Sequence, residues 1–198
     1  VEDEIKDAKY ALNELGGKIV NIEEFYTILT LNDISPVEAS GAPVFNNNPY
    51  LRLNGRGVLV GVIDTGIDYL NKEFQMEDDT TRIVRLWDQT IQGDTNIYGL
   101  KYGTEYTEEQ INQAISLQTS GGDPYSIVPS KDEIGHGTKV SGIIGGRGIN
   151  PDLKGAAPDC KFVIVKLTRA TKAELDASLI DKTDVPSYSP WSVLLGIR

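Results

Sequence analysis

Apolar and polar positions divide the chain into three stretches. In residues 1–33, Ile5, Ala8, Leu12 and Leu15 recur at helical spacing, and Gly16-Gly17 closes that helix. Residues 18–21 and 25–31 then read as two short strands, rich in Ile, Tyr and Thr. This α-β-β fragment is too small to fold well alone. Residues 34–56 are dense in Pro, Asn and Gly and read as linker-like. Periodic structure returns at Val58. Residues 58–63 form an unbroken apolar run of strand length, the pattern of a strand buried on both faces, and it stops at Asp64.

Residues 69–130 are long and polar and read as an elaborated surface connection. They contain one strand candidate within 81–91 and one helix over 107–118, with Thr107 as N-cap. From His136 onward, Gly137, Ser141 and Gly145 fall at i, i+4 and i+8, a small-residue stripe that lets a helix approach a sheet closely. Val140, Ile143 and Ile144 supply apolar contact. A Gly/Ala/Pro turn and a second buried strand over 162–167 follow, completing a βαβ crossover. Residues 189–198 read as a helix with Ser189 as N-cap and Pro190 in the first turn. Two or three parallel strands with one covering helix do not make a finished α/β domain.

Composition narrows the function. The net charge of −10 leaves no basic stripe for nucleic acid. The single cysteine, Cys160, excludes an internal disulfide framework. No apolar run approaches the about 20 residues that span a bilayer, so no membrane partner is expected. The sole histidine, His136, stands between two glycines at the start of the small-residue helix. A helix N-terminus disfavours a positive imidazolium, so an imidazole held there calls for a nearby carboxylate. Asp64 is the candidate, because open α/β sheets place their chemistry at the carboxyl ends of the strands. A lone structural histidine and a turn-capping aspartate are the plainer readings of each residue taken separately.

Three segments carry a family resemblance. "VLVGVIDTGID" and "DEIGHGTKVSGIIGG" resemble the Asp and His signatures of the subtilases, the subtilisin-like serine proteases. "LKGAAPDCKFVIVKL" is similar to the Gly-x-Ala-Pro turn and strand that follow them in that family. "GIDYLNKEF" and "TRIVRLWDQTI" are most similar to the clostridial spore-germination protease branch, and "ELGGKIVNIEEFYTILTLN" resembles half of a subtilase propeptide. The resemblance implies a parallel α/β subtilisin-like fold, incomplete here, with residues 34–198 its N-terminal portion and 1–33 a partial propeptide-like segment. It implies cleavage in the linker-like stretch after Leu31, and an extracellular or spore-associated setting.

The resemblance also implies a mechanism, with Asp64 orienting His136 and His136 acting as general base to a serine on a protein or peptide substrate. Thr65 and Gly66 would shape the turn that aims Asp64, and Gly137 and Thr138 the helix start that aims His136. The nucleophile's Gly-Thr-Ser-x-Ala pattern does not occur in residues 1–198, and the family's oxyanion-hole Asn is not recognisable in them. Ser141 lies one helical turn after His136, on the packing stripe, and is a poor nucleophile. Lys139 stands where many members carry a second His, and Ser141 where Ala is usual. Residues 147–153 lie where a calcium loop often sits, but their acids are sparse, so neither metal nor cofactor is expected. The expected partner is a missing C-terminal half carrying the nucleophile. A non-catalytic binding or regulatory relative is the alternative. A nucleotide-binding protein is not, because "GVIDTG" lacks the Gly-x-Gly-x-x-Gly spacing and no Walker-type Lys follows.

Overall fold

The computed structural model describes residues 35–51, 53–93, 96–97, 100–177 and 187–197. The helix and two strands expected within 1–33 lie outside the described residues. The described residues all belong to one compact unit, Ile34–Arg198.

The stretch expected to be linker-like holds two short helices, α1 (Pro36–Ala39) and α2 (Ala42–Asn46). Ser35 caps α1 through a capping box with Glu38, and a proline opens each helix, so the residues that suggested a linker serve as helix starts. Asn46 Nδ2 donates to Ala156 O, and Asn54 Nδ2 to Asp159, which ties the stretch to the body of the unit.

The sheet follows: β1 (Leu59–Asp64), β2 (Ile83–Asp88), a two-stranded hairpin of β3 (Asn96–Ile97) and β4 (Leu100–Lys101), β5 (Thr104–Thr107) and β6 (Lys161–Lys166). The main sheet runs β1-β6-β2-β5. β6 pairs in parallel with both β1 and β2, and β5 joins β2 antiparallel. Both parallel registers end together, with Asp64 opposite Lys166 and Asp88 opposite Lys166, so three charged residues line the carboxyl end of the sheet.

The helices are α3 (Glu108–Thr119), α4 (His136–Gly145), α5 (Lys172–Ala177) and α6 (Pro190–Ile197). Thr107 caps α3, as the sequence predicts, and the structure adds a capping box with Gln110. Ser189 Oγ accepts from Trp191 N, 3.2 Å away, at the start of α6. The larger core joins Val62, Phe74, Ile83, Leu86, Ile111, Ile115, Phe162 and Ile164, with Val140 and Ile144 of α4 packed against it. On the other face, Ile63, Trp87, Val165 and Leu167 pack with Val193 and Leu195 of α6.

Three expectations are corrected. β1 is an edge strand among the described residues, not a strand buried on both faces: Leu59 is 56% exposed, and only Val62 within it is buried. Residues 69–130 are not a surface connection. Their average polarity hides Ile83, Leu86, Ile111 and Ala114, all fully buried. Ile143 faces outward at 45% exposure, because the buried face of α4 is the stripe itself, Gly137, Ser141 and Gly145.

Candidate active site

Asp64 is the last residue of β1 and His136 the first of α4. The fold brings these residues, 72 apart in the chain, into direct contact. His136 Nδ1 lies 2.8 Å from Asp64 Oδ1 and 2.9 Å from Oδ2. The backbone N–H of Thr65 donates to Asp64 Oδ1 at 2.6 Å and fixes the carboxylate's plane. Nδ1 facing a carboxylate selects the tautomer protonated at Nδ1, which leaves Nε2 as the ring's acceptor. The imidazole is 65% exposed and Asp64 18%, so the carboxylate sits below and the ring projects into solvent.

The two flanking glycines have different causes. Gly135, the N-cap of α4, has φ 79°, a left-handed conformation that side chains with Cβ seldom adopt. Gly137 is required by proximity: a Cβ there would press on the Gly66 carbonyl and lie 3.2 Å from Asp64 Cβ. Close approach of α4 to the end of β1 is what places His136 on Asp64.

Because its N-cap is a glycine, α4 has no side-chain cap of its own. Asp132 and Thr65 supply it from outside. Asp132 Oδ2 accepts from Thr138 N at 2.8 Å, and Thr65 Oγ1 accepts from Gly137 N at 2.8 Å. Burial alone would raise the Asp132 carboxyl, but hydrogen bonds from Thr138, Thr65 and the Gly135 backbone outweigh it and hold it below the ordinary value. Beneath lies Lys166, almost fully buried, whose Nζ donates to Lys131 O at 2.6 Å and to Glu133 Oε2 at 2.9 Å. Asp88, fully buried, stands 3.7 Å from the same ammonium and accepts from Ser130 Oγ at 2.6 Å. Lys166 therefore grips residues 131–133 from the end of β6.

The sequence pointed to Asp64 and His136 but not to Asp132 or Lys166. An acid four residues before a histidine looks like ordinary helix-start chemistry. The available signal was the glycine N-cap, which leaves a helix needing an acceptor from elsewhere. Ser141 is fully buried, with no hydrogen-bond partner for its Oγ among the described residues. In the 147–153 loop, backbone N–H groups converge on a carboxylate: Gly148 N and Asn150 N donate to Glu73 at 2.6 and 3.2 Å.

Known proteins share this arrangement of segments. Residues 55–184 match the Subtilase family. A PII-type proteinase of Lacticaseibacillus paracasei is 31% identical over 158 residues, which make up 77% of this chain and 8% of that protein. The structure of the Clostridium perfringens CspB protease aligns with a TM-score of 0.60 at 31% identity, covering 81% of this chain and 29% of that one. The clostridial likeness read from the sequence has its counterpart there. This chain spans less than a third of either relative. A mixed α/β unit with a mostly parallel sheet, shared with these proteases and matched over most of its own length, places the chain in the subtilase family.

Proposed function

We propose that the complete protein is a serine-type endopeptidase and that Asp64 and His136 are two members of its catalytic triad. The observation that carries this reading is the contact between His136 Nδ1 and the Asp64 carboxylate at the carboxyl end of a parallel sheet. Asp64 accepts the Nδ1–H bond and stabilises the imidazolium formed when Nε2 takes a proton. Nε2 takes that proton from the hydroxyl of a serine outside residues 1–198 as the oxygen attacks the scissile carbonyl. The imidazolium then returns it to the leaving amine, and water repeats the cycle on the acyl-enzyme. The substrate is a protein or peptide.

Residues 1–198 by themselves supply a base without the family's nucleophile signature. Removing the serine from a subtilisin lowers turnover by about 10⁶. The 198-residue chain is therefore expected to show no peptidase activity above background. The complete protein should react stoichiometrically with a fluorophosphonate and hydrolyse peptides, and His136→Ala should abolish hydrolysis. Undiminished hydrolysis by His136→Ala, or robust activity from the 198-residue chain, would overturn the reading.

A further inference from the structure

Asp132 makes more hydrogen bonds than any helix-start acid requires. Its Oδ1 accepts from Thr65 Oγ1 at 2.7 Å and from Gly135 N at 2.8 Å. Its Oδ2 accepts from Thr138 Oγ1 at 2.6 Å and Thr138 N at 2.8 Å. An ionised carboxylate offers about four acceptor positions, and all are taken. Asp132 thus has no lone pair left for a metal, a substrate or a proton in transit. Its work is to hold other groups.

The two threonines are arranged reciprocally. Thr65 follows Asp64 on the β1 side, and its hydroxyl accepts from Gly137 N on α4. Thr138 lies on α4, and its hydroxyl accepts from Asp68 N on the β1 side at 2.9 Å. A carboxylate only accepts, so each hydroxyl must give its proton to Asp132 and turn its lone pairs to the opposite backbone. One charge therefore sets the direction of two hydrogen bonds that cross between the element carrying Asp64 and the element carrying His136. Thr65 also orients Asp64 through its own N–H.

We propose that Asp132 is a positioning residue for proton transfer, and that with the hydroxyls of Thr65 and Thr138 it forms a latch fixing His136 Nδ1 against Asp64. Lys166 anchors the latch from the sheet, through Lys131 O and Glu133 on either side of Asp132. The latch rests on the reading of Asp64 and His136 as catalytic. Its own consequence is separate: loosening it leaves both catalytic side chains present but misaligned. A displacement of about 1 Å in a catalytic group costs about 10²-fold in rate.

The test compares Thr65→Val, Thr65→Ser, Asp132→Asn and wild type in the complete protein, with kcat expressed per active site titrated to completion by a fluorophosphonate. Unfolded molecules do not titrate, so a merely structural role would lower the number of sites and leave kcat per site unchanged. Thr65→Val keeps the branched shape and removes the hydroxyl. It should lower kcat per site by about 10²-fold with KM within about twofold. Asp132→Asn should do the same, and Thr65→Ser should restore kcat to within about threefold of wild type. Wild-type kcat per site in Thr65→Val and Asp132→Asn would overturn the latch, as would failure of Thr65→Ser to rescue. If Thr65→Val yields no titratable protein, Asp132→Asn and Thr65→Ser decide. Intact hydrolysis by His136→Ala would instead defeat the catalytic reading itself, so the two failures are distinguishable.

Discussion

β1 and β6 are both six-residue strands, paired in parallel register, and both are written as apolar runs. Their surroundings differ. β6 lies between β1 and β2, and Phe162 and Ile164 on it are fully buried. β1 has a neighbour on one side only among the described residues, and Leu59 and Val58 at its start are more than half exposed. Neighbours, not composition, set burial. Yet the carboxyl ends of the two strands are equally well ordered by polar contacts: Asp64 by Thr65 and His136, Lys166 by Lys131, Glu133 and Asp88. The site is built by hydrogen bonds at the strand ends and does not depend on how deeply each strand is covered.

The largest expected effect on stability that would sharpen this contrast is at Phe162. Its ring packs edge-on against Phe74 with centroids 5.8 Å apart, and Arg82 lies over it at 5.4 Å. Phe162→Ala should cost about 3–5 kcal/mol in urea unfolding, through lost burial and the cavity left behind. Leu59 at the start of β1 is 56% exposed, and Leu59→Thr in the same chain should change stability by no more than about 0.5 kcal/mol. Equal costs at the two positions would break the comparison.

The polar end is expected to respond to pH. The Asp132 carboxyl is held below its ordinary value in the folded state, so its stabilisation is fully present above the unfolded pKa of about 3.9. It is lost as pH falls through the lower folded value. Glu133 is exposed; partial desolvation would raise its carboxyl, but the hydrogen bond from Lys166 holds it low, so it adds in the same direction. The urea midpoint of wild type should exceed that of Asp132→Asn at pH 6, and the gap should close as pH drops below about 4. A gap independent of pH would place the effect elsewhere.

A smaller effect than at Phe162 is expected at Ser141, whose buried Oγ has no hydrogen-bond partner among the described residues. Ser141→Ala removes an unsatisfied hydroxyl and should raise stability by about 1 kcal/mol. A loss of similar size would mean that the hydroxyl has a partner after all.

The sequence made the Asp64–His136 pair legible for a physical reason. Gly137 must be glycine because the helix touches the Gly66 backbone, and Gly135 because of its backbone sign, so the sole histidine stands out between them. The stripe Gly137, Ser141 and Gly145 was legible for the same reason. Of the latch, the family resemblance had assigned Thr65 and Thr138 to aiming the pair, but Asp132 was not legible, because it lies 67 residues from Thr65 and does not look unusual locally. β2 and α3 were underrated because their core positions are diluted by polar neighbours. The edge position of β1 was hidden because an apolar run does not say how many strands flank it.

Asp64→Asn tests the central claim most directly, because it keeps the side chain's shape and removes only the charge and the carboxylate's capacity to accept on both oxygens. Turnover of the complete protein per titrated active site is the quantity to measure. The account predicts a loss of about 10⁴-fold, the cost of letting a triad histidine adopt the wrong tautomer. Turnover within tenfold of wild type would contradict it.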